Sequence, residues 1–148
     1  MNSLTLALAV AYAAAEKKDY SGAITCLDRI AAEANLSAEY FRLKARFIQL
    51  SEGSNYSLND AEKCLLRALE IDPRNAKVLV DLGYFYSRVI SDERKSQGWF
   101  VRAIELLRSD YAEAVVGLAE QMADKPQTAD KMIEEEFEEL RKHIAIKL

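Results

Sequence analysis

Apolar residues recur at i, i+3, i+4 and i+7 almost from end to end of the chain, the period of helices that bury one face. Small polar residues punctuate the pattern. Ser37, Ser57, Asn75, Ser91, Ser109 and Thr128 each stand just before an apolar-periodic stretch. Such residues suit helix N-caps, because the side-chain oxygen accepts from an orphan amide of the first turn. Ser57 with Asp60 three residues later has the form of a capping box. After Ser91, Asp92 and Glu93 place carboxylates at a positive helix end. The punctuation predicts eight helices, over 3–17, 20–35, 38–51, 58–72, 76–90, 92–107, 110–124 and 128–146. Links of a few residues force neighbours to run antiparallel; the polar stretch 52–56 is the longer exception. The 38–51 helix fits two registers, one burying Tyr40, Leu43 and Phe47, the other Phe41, Ala45 and Ile48, and periodicity does not choose between them.

Taken in pairs, the helices share a motif. Leu79-x2-Leu82-Gly83-x2-Tyr86 is followed by Ser96-x3-Phe100 and Ala103. The preceding pair ends in Ala61-x3-Leu65-x2-Ala68-Leu69-Glu70-Ile71-Asp72-Pro73. The first pair reads Ala7-x2-Val10-Ala11-x2-Ala14, then Ala23-x3-Leu27. The last reads Val115-x2-Leu118-Ala119-x2-Met122, then Ala129-x3-Ile133. These residues resemble the tetratricopeptide repeat family along nearly the whole chain, most densely from Ala61 to Ala103. The resemblance implies an all-α fold: an α-α superhelix of about four antiparallel helix pairs, 3–35, 38–73, 76–107 and 110–146, in a single domain over 1–148. Ala11, Gly83 and Ala119 are small where two helices of a pair cross, with Tyr86 and Phe100 filling the space beside them. Pro73 ends a helix because it has no amide to donate. Against a repeat of about 34 residues, 52–56 is an insertion of roughly five.

Composition agrees. The chain has 148 residues, 50% hydrophobic and 30% charged, which supports a core and argues against disorder. With 5 Gly and 2 Pro it has too few turns for a many-stranded sandwich or barrel. The net charge of −4 is unevenly placed. Residues 110–148 hold 10 acids and 5 bases, net −5, which leaves the first 109 at +1. Lacking a basic excess, the chain is not expected to bind nucleic acid. No apolar run approaches the length of a membrane span, so no membrane partner is expected. The stretch Leu4–Ala15, ending Ala-Tyr-Ala-Ala-Ala, has the cast of a secretory signal, but Met1-Asn2-Ser3 lacks the positive charge such a signal needs, and a first helix is expected instead.

Candidate chemistry is sparse. Cys26 and Cys64 form no CxxC and no Cys/His cluster, so neither a metal site nor a cofactor is expected, and a reduced, cytoplasmic setting fits. Cys26, Cys64 and Trp99 share one repeat position, where stacked equivalents lie about 8–10 Å apart, too far for a disulfide. His143, the one histidine, has no partner for a triad and suits the negative end of a helix. Glu134-Glu135-Glu136-Phe137-Glu138-Glu139 reads as the solvated face of a capping helix whose apolar stripe is Ala129, Ile133, Phe137, Leu140, Ile144 and Leu148; its functional alternative is an acidic patch for a basic partner. No phosphate loop, acid/base pair or nucleophile motif occurs, so an enzyme is not expected.

The resemblance implies that the first helix of each pair lines a concave groove. Ligand-contacting positions carry over to Thr5, Leu8, Tyr12, Ala15 and Glu16, to Lys77, Val80, Tyr84, Ser87 and Arg88, and to Glu113, Val116, Glu120, Ala123 and Asp124. The partner-binding set expected from these is Tyr12, Glu16, Lys77, Val80, Tyr84, Ser87, Arg88, Glu113, Glu120 and Asp124. Leu8, Tyr12 and Asp81 stand where a chaperone-binding subgroup has Lys, Asn and Arg, so a carboxylate clamp is rejected. The expected function is a cytoplasmic protein-interaction module that captures a partner protein or peptide, adaptor- or chaperone-like. Two alternatives stand beside it: an immunity or inhibitor protein neutralising a toxin or effector, and a self-associating subunit using Ile144, Ile146 and Leu148, as monomer or homodimer.

Overall fold

Residues 3–31, 36–121 and 126–145 are described by a computed structural model. Among them the helices are α1 (Ser3–Glu16), α2 (Tyr20–Asp28), α3 (Ala38–Leu50), α4 (Leu58–Ile71), α5 (Ala76–Tyr84), α6 (Glu93–Gln121) and α7 (Pro126–Ala145), with no strand among the described residues. The all-α class is as expected. Seven helices stand where eight are predicted, because 93–121 is one uninterrupted helix.

The caps explain most starts. Ser37 accepts from the Tyr40 amide, and Asn75 from the Val78 amide. Ser57 and Asp60 form the reciprocal capping box, which satisfies two orphan donors at once. Three expected caps fall elsewhere. Asp92 rather than Ser91 caps α6, accepting from the Lys95 amide at 3.0 Å. Ser91 instead turns left-handed, at φ 60°, to end the preceding helix. Ser109 lies inside α6: its neighbours include neither Gly nor Pro, and a serine alone is too weak a breaker to stop a helix. Thr128 lies inside α7, which starts at Pro126, a residue whose fixed φ suits the first helical position.

The chain forms two compact units, Met1–Ala103 and Ile104–Leu148. In the first, α1 packs on α2, α2 on α3, α3 on α4 and α4 on α5, as short antiparallel links require. The core runs along this stack through Ala11, Ala23, Leu27, Leu43, Leu65, Val78 and Leu82. Helix α3 sits at its centre, and this resolves its register. Tyr40, Leu43 and Phe47 are buried, and so are Ala45 and Ile48. Both stripes are used because α3 has a helix on each side. Gly83 meets Phe100 where α5 and α6 cross, and the buried Ser96 hydroxyl donates to the Gly83 carbonyl at 3.0 Å.

Beyond Tyr84, α5 widens into a π-helical segment, Phe85–Ile90. Phe85 and Tyr86 are both buried there, and Tyr86 donates a short hydrogen bond to Glu62 of α4. Burial and that acceptor push the Tyr86 phenol up to about 12.

The inserted loop is pinned to the stack. Gly53 takes φ 89°, which favours glycine. Tyr56 then donates to Asp28 Oδ2 at 2.9 Å, and Lys44 Nζ donates to Asp28 Oδ1 at 2.7 Å and to the Tyr56 oxygen at 3.1 Å. Lys44 is among the few buried charged side chains. Burial lowers its pKa, but Asp28 and Tyr56 more than offset this and the net direction is upward.

The second unit comprises residues of α6 from Ile104 onward together with α7. Here Tyr111 and Phe137 meet edge to face, their centroids 5.8 Å apart.

Candidate protein-interaction face

Helices α1, α3 and α5 contribute to one polar network. Tyr12 of α1 donates to Glu39 Oε1 at 2.7 Å. Arg42 donates to both Glu39 oxygens at 2.8 Å, and its remaining arm reaches Asp81 of α5 at 3.0 Å. Arg42 lies deepest, its side chain 13% exposed against 37% for Glu39 and 32% for Asp81. The bidentate fork fixes the Glu39 plane, as guanidinium–carboxylate geometry favours. Arg42 and Tyr12 hold the Glu39 carboxyl below its usual 4.5 although burial opposes them, and Lys77 adds to the effect. Burial and then Glu39 push the Tyr12 phenol up.

Around this floor stand exposed groups. Tyr12 and Tyr84 are each more than two-fifths exposed. Tyr84 packs edge to face on Phe100 at 5.2 Å and lies under the Arg88 guanidinium at 4.4 Å. Both contacts hold the ring in place and leave part of it exposed. Arg46 and Lys77 are exposed, and neither makes an ion pair among the described residues.

Of the expected residues, Tyr12 joins the network and Lys77 lies near its Glu39. Tyr84 and Arg88 form the second aromatic–cation site, Ser87 and Glu16 are exposed, and Val80 is half-buried. Ser87 and Arg88 lie in the π-helical segment, where residues per turn exceed 3.6 and the carried-over spacing does not apply. Glu113 and Glu120 are exposed on α6 in the second unit. Asp124, Ile146 and Leu148 lie outside the described residues. The network's centre, Glu39 and Arg42, was not among the expected residues, and Arg46 beside it was also missed. One signal was available: Glu39, Arg42 and Arg46 recur at i, i+3 and i+7, a charged stripe along one side of the helix.

Cys26 and Cys64 are free and half-buried. Burial pushes the Cys64 thiol up. Among the described residues, no helix is long and apolar enough to cross a membrane.

Comparison with known proteins is sparing. No family model matches the chain. It is similar to human Superkiller complex protein 3, at 29% identity over 111 residues, covering 73% of this chain and 7% of that protein. The chain thus spans about 7% of the length of the curated relative it matches. No solved structure matches it significantly.

Proposed function

We propose that the chain is a tetratricopeptide-like interaction module that captures an extended segment of a partner protein on the face shared by α1, α3 and α5. One observation carries this reading. The polar groups of the floor Tyr12–Glu39–Arg42–Asp81 are hydrogen-bonded to one another, with one guanidinium shared by two carboxylates, while Arg46, Lys77 and Arg88 stand exposed beside two partly open tyrosines. A floor already paired does not have to reorganise on binding, and Tyr with Arg are favoured anchor types in interfaces. The exposed cations fit a segment that carries carboxylates next to an aromatic or aliphatic side chain. The human relative is named as a protein of a complex, which supports an interaction role without identifying a partner. Adaptor, chaperone and inhibitor differ in the fate of the captured partner, and all three use this same chemistry. The proposed role is binding without catalysis.

An array of short peptides graded in charge tests it. Acidic peptides containing an aromatic residue should bind best. Lys77→Glu with Arg88→Glu should abolish that binding and leave the helical circular dichroism unchanged. Retained binding in the doubly reversed protein would move the site off this face.

A further inference from the structure

The second unit carries an apolar surface that the proposed function does not use. Between α6 and α7 lies an open groove of about 660 Å³, walled by Ile104, Leu107, Tyr111, Phe137 and Leu140. Leu107 is 50% exposed, Phe137 49% and Leu140 57%. So many large apolar side chains contiguous on one small unit mark an interaction surface. Their spacing specifies its shape. Ile104, Leu107 and Tyr111 form one i, i+3, i+7 ridge, and Phe137 with Leu140 forms another. Two ridges joined at the Tyr111–Phe137 contact and open beyond it leave a channel into which a third helix fits, ridge into groove.

Charge selects among the helices that fit. Residues 104–148 hold 11 acids and 6 bases, net −5. At the groove itself the charged lining is Glu136, Asp110 and Arg108. The bases of α7 are already engaged: Lys131 with Glu135, Arg141 with Glu138, and Lys142 with Glu139. Glu136, on the lip, makes no ion pair among the described residues. A second copy of this chain offering its own α7 would bring that helix's glutamates against the same lip, and like charges oppose the contact. We propose that this groove docks an amphipathic helix of a partner protein, with large apolar residues at i, i+3 or i+4, and i+7 and with Lys or Arg along the flank that faces Glu136. This site goes beyond the α1/α3/α5 face and does not depend on it.

The test uses the full chain and a fluorescent, helical Leu/Lys peptide of about 14 residues, four turns long. A Leu/Glu peptide with the same apolar pattern serves as its counterpart. Anisotropy should show saturable one-to-one binding of the Leu/Lys peptide and binding at least about tenfold weaker for the Leu/Glu peptide. Leu107→Ser and Phe137→Ser should each weaken the Leu/Lys complex about tenfold or more, and Glu136→Lys should weaken it with the helical circular dichroism unchanged. Leu140→Ser, at the more exposed end of the groove, provides a second variant should Phe137→Ser loosen the contact between α6 and α7. Tyr84→Ala with Arg88→Ala should leave this binding intact, which separates it from the other face. Equal binding of the two peptides, or binding indifferent to Leu107→Ser and Leu140→Ser, overturns the proposal. So does a concentration-dependent dimer that those same substitutions dissociate, because a second copy would then be the occupant.

Discussion

A β-carbon built on Gly83 lies 2.6 Å from Cε1 of the Phe100 ring. The two residues meet where α5 crosses α6, and the missing side chain of one makes room for the ring of the other. Overpacking such a contact costs about 1–3 kcal/mol, against a gain of about 1 kcal/mol in helix propensity from Gly to Ala. Gly83→Ala should therefore destabilise the protein in urea unfolding. In a Phe100→Ala background the obstacle is gone, and the same substitution should become neutral or stabilising. Equal effects in the two backgrounds would show that the residues are not coupled.

The Asp28–Lys44–Tyr56 cluster predicts an asymmetry. The Lys44 side chain is 11% exposed and that of Asp28 35%. Removing Asp28 strands a buried ammonium, while removing Lys44 leaves a carboxylate that water can reach. Asp28→Ala should cost about 3 kcal/mol, and Lys44→Met distinctly less. Tyr56→Phe should spare most of the stability but free the inserted loop, making it cut faster by a protease in limited digestion. The reverse order of Asp28→Ala and Lys44→Met in urea midpoints would rule out this account.

Glu39 sets an acid-side dependence. Its folded pKa lies below 4.5 because Arg42, and with it Tyr12, favours the carboxylate. A depressed folded value means the stabilisation is fully present above the unfolded value and is lost as pH falls through the folded one. Glu39→Gln removes this contribution. Urea midpoints of the two proteins should run parallel above pH 4.5 and converge below it. Curves that stay parallel into the acid range would show that Glu39 has no linked proton.

The continuity of α6 through Ser109 and Asp110 is testable with proline. At the first position of a new helix, Asp110→Pro would be tolerated. Inside a helix it removes an amide hydrogen bond and clashes with the preceding turn, at a cost of about 3 kcal/mol. Asp110→Pro should lower helical circular dichroism and stability well beyond an Asp110→Ala control. Equality of the two would place a helix boundary at Ser109 after all.

Where helices start and pack was largely legible. Ser37, Ser57 with Asp60, and Asn75 cap the helices they precede, because an N-cap bond is made within three residues and needs no tertiary partner. Gly83 and Phe100 were readable as a crossing because the motif places small beside large at fixed spacing. The failures share a cause. Ser91, Ser109 and Thr128 have the right chemistry for caps, but Asp92, an unbroken helical run and Pro126 each offered the backbone a stronger local choice.

The α1/α3/α5 face proposed for binding was legible at its edges alone. Tyr12, Lys77 and Tyr84 follow from repeat spacing, and Arg88 reaches the Tyr84 ring from the π-helical segment, whereas Glu39 and Arg42 were hidden by the unresolved register of 38–51. Sequence by itself determined that this chain is helical, where most helices begin, which small residues let them cross, and that acid collects in its last quarter. These depend on periodicity, local hydrogen bonding and composition, all of which act within a few residues. Only the tertiary structure decided that α3 buries residues of both apolar stripes, that Arg42, bound to Glu39, reaches Asp81 39 positions along the chain, and that Ile104, Leu107 and Phe137 stay open. Each of these depends on which helices lie alongside, and periodicity is blind to that: an apolar stripe looks the same whether a neighbour covers it or not.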